Sequence, residues 1–247
     1  MATINDTDLN ANTALGTTLV STNALARATG DLLIGGGQTE GGTSFTLSFN
    51  NAAGSGAFTA AGAKASHSNG DLCGQAFYTT AANATATKPE FAQSAQGTFR
   101  QMRVLSFTPA GGATWQLGSG AAAPSPTVGV NGTTAGNNGT ALTLTPSGPG
   151  VIVVFFYLYG SRTITPTDGT FVVPTEFNSS SALQVMYKLV SSGGSAVTCS
   201  AAITGGAVDW LAQAVFFAEV DPVAATDPAA RSSIVNPLGP LQCGLRR

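Results

Sequence analysis

The sequence predicts an all-β fold: an antiparallel β-sandwich of jelly-roll or immunoglobulin-like type, with about 10–12 strands and an extended arm at each end. Three observations lead there. Helical periodicity is nearly absent along the chain. Short apolar or alternating runs recur instead at about 8–12-residue spacing, bounded by Gly, Pro, Asn and Ser. Charge is scarce as well: 10 Lys+Arg and 12 Asp+Glu among 247 residues, or 9%, beside 31 glycines. An ordinary domain carries about 25%, so solvent must here be met by a surface that is polar but neutral.

Taken in order, residues 1–14 carry no strand pattern and read as an N-terminal arm. Strands are predicted at 18–22, 31–36, 44–50, 72–80, 101–108, 114–117, 140–145, 151–159, 170–173, 182–190, 196–203 and 208–220. In 182–190, Leu183, Val185, Tyr187 and Leu189 alternate with Gln184, Met186, Lys188 and Val190, which predicts one buried face. The leucines and threonines of 140–145 alternate in the same way. Val151 to Tyr159 is apolar on both faces, so this strand is expected at a sheet centre with a layer over each side. Between strands, the run Gly35-Gly-Gly-Gln-Thr-Glu-Gly-Gly reads as a flexible loop; it lacks the G-K-[ST] of a phosphate loop.

Residues 15–220 form the predicted β-sandwich. The loop-like stretch 111–138 offers a division into halves 15–110 and 111–220, and a Gly-led turn before an apolar strand occurs in both: Thr29-Gly-Asp-Leu-Leu-Ile-Gly and Ser147-Gly-Pro-Gly-Val-Ile-Val-Val. One sandwich is the first expectation, two intimately packed halves the alternative. Residues 221–247 hold Pro222, Pro228, Pro237 and Pro240 with scattered apolar positions. They read as a Pro-rich arm whose Ile234, Val235, Leu238, Leu241, Leu245, Arg246 and Arg247 are candidates for anchoring to a neighbouring subunit. Few lysines are available to guard strand edges, so edges are expected to lie under loops or against another subunit.

The same composition disfavours most chemistry. A net charge of −2 with scattered basic residues offers no footprint for nucleic acid. The longest apolar run, 151–159, is far short of the roughly 20 residues that span a bilayer, and MATINDTDLN has no signal-peptide pattern. Cytosolic synthesis without membrane insertion is the expectation. Catalysis by Ser–His–Asp would depend on the lone histidine, His67, which sits in a polar stretch and reads as an exposed turn residue, and no nucleophile elbow is present. Asp71, Glu90, Asp168, Glu176, Asp209 and Glu219 are the acids available for a glycosidase pair, and spacing selects none. Asp6-Thr-Asp matches a fragment of a calcium loop without its other ligands. Cys73, Cys199 and Cys243 lack metal-ligand spacing and read as buried thiols. No cofactor or metal is implied. Trp115 and Trp210 read first as core, and otherwise as contacts for a glycan.

One resemblance emerges in the second half. Trp115 in a short strand precedes a Thr-rich strand and Thr145-Pro-Ser-Gly-Pro-Gly-Val-Ile-Val-Val; Thr165-Pro, Glu176 and Leu183-Gln-Val-Met-Tyr-Lys follow. Gly193-Gly-Ser-Ala-Val-Thr-Cys-Ser-Ala, Asp209-Trp210 and Ala214-Val-Phe-Phe-Ala close the series. This order, with Asp31-Leu-Leu-Ile-Gly in the first half, resembles the Gly/Thr/Ala-rich β-sandwich domains of tailed-bacteriophage virion proteins. The resemblance implies a virion location and a non-enzymatic structural role, foremost as a capsid decoration or cement protein held by its arms. Its implied partners are a major capsid or tail protein and copies of itself. The alternative it implies is a tail- or head-fibre-associated adhesin binding a host surface polysaccharide.

Overall fold

Two apolar strands, each buried on both faces, organise the chain, and they come from opposite halves of the sequence. The computed structural model describes residues 2–12, 14–42, 44–51, 57–67, 71–118, 132–134 and 142–221. The first half contributes β1 (Thr3–Asn12), β2 (Gly16–Val20), β3 (Leu32–Glu40), β4 (Leu47–Asn51), β5 (Thr59–Ala60), β6 (Ala65–Ser66), β7 (Leu72–Thr80) and β8 (Pro89–Thr108). The second contributes β9 (Thr114–Leu117), β10 (Gly132–Thr134), β11 (Leu142–Leu144), β12 (Gly150–Pro166), β13 (Ser181–Val190), β14 (Val197–Cys199), β15 (Ala201–Thr204) and β16 (Val208–Val220). The fold is all-β, and the pairings are antiparallel throughout.

The two halves share one strand order. In the first the sheet runs β1-β8-β3-β7; in the second β9 and β10 lie on one edge of β16, followed by β12 and β13. In both, the opening strand pairs with the closing strand, which pairs with the strand behind the Gly-led turn. Leu32 lies opposite Phe107 and Thr80; Val151 lies opposite Phe217 and Leu189. Each half thus builds its own main sheet, and the two sheets face each other across a shared core.

Long strands bend to build a second layer on each half. The first part of β8 pairs with β2 and β4, and its last part with β1 and β3. The bend falls at Phe99, whose φ of 48° is a left-handed conformation that a bulky residue rarely adopts. β12 parts from β13 after Tyr157 and from β16 after Leu158, turns at Gly160 (φ 84°) and pairs with β15. The result is four layers enclosing three cores. The central core joins Leu32, Ile34, Leu105 and Phe107 to Val151, Val153, Phe155, Tyr157 and Phe217. An outer core holds Phe49, Phe77 and Phe91 under β2 and β4, and the other holds Ile152, Val154, Phe156 and Trp210 under β11, β14 and β15. Odd residues of β12 enter the central core and even ones the outer core, as its apolar sequence predicts.

Several expectations need correction. Residues 3–12 are not a free arm but strand β1, because alternate positions pack or pair: Leu9 rests on the central core, and the backbone ladders with β8. The Gly35–Gly37 run is no loop. It lies inside β3, fully buried, where glycine makes room for aromatic rings on both faces. A Cβ at Gly36 would stand 2.3 Å from the Phe155 ring, at Gly37 2.2 Å from Phe91, and at Gly74 2.3 Å from Tyr157. β13 buries Gln184 and Met186 as well as Leu183 and Val185, since the second layer covers its other face. β8 starts at Pro89, well before the predicted 101, its early part diluted by Gln, Ser, Ala and Gly. Of the predicted strand 170–173 only the bridge from Val172 to Tyr187 forms. The C-terminal arm, with Ile234, Val235, Leu238, Leu241, Leu245, Arg246 and Arg247, lies outside the described residues, as does Cys243.

The seam between the halves is also stitched by side-chain amides. Gln38 accepts from the Leu158 N–H (3.2 Å) and donates to its carbonyl (2.9 Å), replacing ladder partners that β12 loses where it bends. Gln213 accepts from Ala76 N–H (2.9 Å) and the Tyr157 hydroxyl (3.1 Å) while donating to Ala61 O (3.3 Å). Gln101 takes the Leu183 N–H (2.7 Å), and Arg103 donates to the Leu183 carbonyl with its guanidinium 4.3 Å from the Phe177 ring centre.

Replacing Gly36 or Gly37 by Ala is expected to cost about 2–3 kcal/mol through overpacking. Gly169→Ala, with nothing within 4 Å of the added methyl, should stay within about 0.5 kcal/mol of wild type. Urea unfolding of the three variants checks the contrast.

Candidate functional site

Charged groups cannot be left without partners inside a neutral shell, and most here are turned on the backbone. Asp8 accepts from the N–H of Asn23 (2.7 Å), Asp6 from that of Ala26 (2.6 Å), and Asp31 from that of Ala28 (2.7 Å). The Asp6-Thr-Asp pattern therefore fixes the loop that follows β2 against the edge of β1. Arg27 donates to the Thr85 carbonyl, Arg100 to those of Thr18 and Ala14, Lys64 to that of Phe45 and Lys88 to that of Thr22. Glu219 accepts from Ala110 N–H (2.7 Å). Asp168 meets Lys188 at 3.3 Å, and its carboxyl lies below the ordinary range because the Thr170 N–H and then Lys188 favour the charged form. Glu40 is held above it by burial, although it accepts from Gly160 N–H.

Trp115 and Trp210 are 9% and 2% exposed and belong to the central and one outer core. Their rings offer no platform to a glycan, which corrects that alternative. Burial follows from their strands: Trp210 lies in β16 opposite Leu158, and Trp115 pairs beside its closing end.

Among the described residues, the acids and the histidine yield one constellation. His67 follows β6, Asp71 precedes β7, and Asp209 lies near the start of β16. One ligand atom from each of the three falls within 4.8 Å of the others. His67 Nδ1 is 3.8 Å from Asp71 Oδ1, and Nε2 is 3.9 Å from Asp209 Oδ1. His67, expected as an exposed turn residue, is only 6% exposed, because β16 of the second half packs against β6 and β7. The i, i+4 placement of His67 and Asp71 was visible in the sequence; Asp209 arrives from the other half, and only the packing of the sheets brings it there. Glu90, Asp168, Glu176 and Glu219 do not join this cluster.

A second concavity lies between β1 and residues 172–176, lined by Asp6, Thr7, Val172, Glu176 and Tyr187. Burial, and then the charge of Glu176, push the Tyr187 hydroxyl above its ordinary pKa. Val172 is 47% exposed at its mouth. No helix among the described residues is long and apolar enough to cross a membrane. Comparison of the chain with protein-family models, curated proteins and solved structures finds no match.

Cys73 and Cys199 are buried, and burial pushes their thiols up to about 11 and about 12. A raised thiol stays protonated, and only the thiolate attacks. Neither cysteine is expected to react with Ellman's reagent at pH 8 until denaturant is added, with peptide mapping as the readout.

Proposed function

We propose that this protein is a non-enzymatic structural protein of a bacteriophage particle surface, foremost a capsid decoration or cement protein. The observation that carries the reading is how charge is used. Many of the described acids and bases hold loops and bends, while the exposed positions of the two leading strands are Thr3, Asn5, Ala11, Asn12, Thr17 and Thr18, none of them charged. Such a surface is wettable without titratable groups, which suits lateral packing in an array more than turnover. The phage setting rests on the resemblance, which covers roughly residues 15–220. In that setting the partners are a major capsid or tail protein and further copies of this chain, and many copies multiply weak contacts. The arm at 221–247, with its apolar anchors, is the element assigned to hold the neighbour.

Deleting residues 236–247 is expected to lower incorporation into purified particles at least tenfold, measured by mass spectrometry, while the melting temperature of the isolated protein stays unchanged. Normal incorporation of the folded truncated chain refutes arm anchoring.

A second reading, an adhesin for host surface polysaccharide, is favoured by one observation: the cleft of Asp6, Glu176 and Tyr187 sets carboxylates beside an aromatic ring. On that reading the isolated protein binds a host glycan on an array and Glu176→Gln weakens binding at least tenfold; a blank array leaves the decoration role standing alone.

A further inference from the structure

We propose that His67, Asp71 and Asp209 form a divalent-cation site that pins the two halves of the molecule together. The residues come from three elements and both halves: the end of β6, the start of β7 and the first turn-facing residues of β16. Their contacts of 3.8 and 3.9 Å are too long for hydrogen bonds, so the cluster is not a closed Asp–His–Asp chain. Asp71 Oδ1 is shut off from water and receives no hydrogen bond, an arrangement that costs free energy unless a cation meets it.

Charge balance points the same way. An imidazole that ligates a metal adds no charge and ligating carboxylates add one each, so one dication balances this donor set. The donor set, one imidazole nitrogen with carboxylate oxygens, suits first-row transition ions better than Ca²⁺, whose sites are built wholly of oxygen. Zinc bonds of about 2.0–2.2 Å to nitrogen and oxygen require ligand atoms a few ångströms apart, and here they lie within 4.8 Å of one another. His67 is buried, whereas the Asp71 and Asp209 side chains are 39% and 20% exposed, so an ion enters from the carboxylate side and keeps water in its remaining positions. With ligands from both halves, the bound ion closes the seam at the start of β16.

The full-length protein, stripped with EDTA, is titrated with Zn²⁺ by calorimetry and melted with and without the metal. One equivalent is expected to bind, and a hundredfold excess over Kd should raise the melting temperature by about 5–10 °C. His67→Ala and Asp209→Asn should each weaken binding at least tenfold and abolish the metal-dependent shift. Cys243→Ser should bind as wild type does. Co²⁺ bound to the wild-type protein reports on the site without any variant: visible d–d bands with no thiolate charge-transfer band in the near ultraviolet are expected. Absence of Zn²⁺ and Co²⁺ binding at millimolar metal overturns the proposal. So do Zn²⁺ affinity unchanged in both ligand variants and a thiolate band on Co²⁺.

Discussion

Aromatic rings lying directly on glycine backbone set how the layers of this protein meet. Phe155 and Tyr157 of β12 sit over Gly36 and Gly74 at the central seam, while Phe49 and Phe91 sit over Gly35 and Gly37 on the other face of the same sheet. Three consecutive glycines in a central strand weaken it by about 0.5–1 kcal/mol each relative to alanine. Each ring they admit buries about 150–250 Å², which at about 25 cal/mol per Å² outweighs that cost several times over. The rings in turn draw the sheets close enough for side-chain amides to cross the seam. Gln38 reaches the Leu158 backbone and Gln213 the Ala76 backbone only because no β-carbon holds the layers apart.

Those amides answer a problem created by the bent strands. A strand that leaves one sheet for another abandons ladder partners, and a buried N–H or C=O without a partner costs about 1–3 kcal/mol. β12 bends after Tyr157, and Gln38 takes both groups of Leu158 there. The same economy runs through the charges. Asp6, Asp8 and Asp31 serve N–H groups of the loop along β1, and that loop in turn covers an edge that has no lysine to guard it: Thr22 N–H donates to the Leu9 carbonyl. Of the two covers expected for a strand edge, a loop or another subunit, the loop serves on this side.

How much of this could be read in advance depends on whether a residue's role is local. β12 was legible because nine consecutive apolar residues have only one comfortable place in a sheet. The buried face of β13 and the alternation in β11 were legible for the same reason, their period being written in neighbouring residues. β1 was not, since Thr-Ile-Asn-Asp-Thr-Asp-Leu-Asn has little apolar weight and is held by β8, distant in sequence. Glycines 35–37 misled because a glycine run signals a loop unless large rings arrive to cover it, and those rings are contributed by β4, β8 and β12. His67 misled in the same way. Its polar neighbours mark a turn, but the lid that buries it belongs to the other half.

The shared strand order explains why that seam carries the molecule's polar detail. Two sheets of the same topology, packed by apolar faces alone, have alternative placements that slide by one side-chain pair and still bury aliphatic residues against aliphatic residues. Amide clamps remove those alternatives, because a slide of one pair leaves Leu158, Ala76 and Leu183 backbone groups buried without partners. The glycine seats remove them too, since a displaced Phe155 meets a β-carbon instead of Gly36. Hydrophobic burial therefore supplies the attraction between the halves, and the clamps and ring seats decide their register. His67, Asp71 and Asp209 lie where that register, and no other, brings a histidine and an aspartate of one half beside an aspartate of the other.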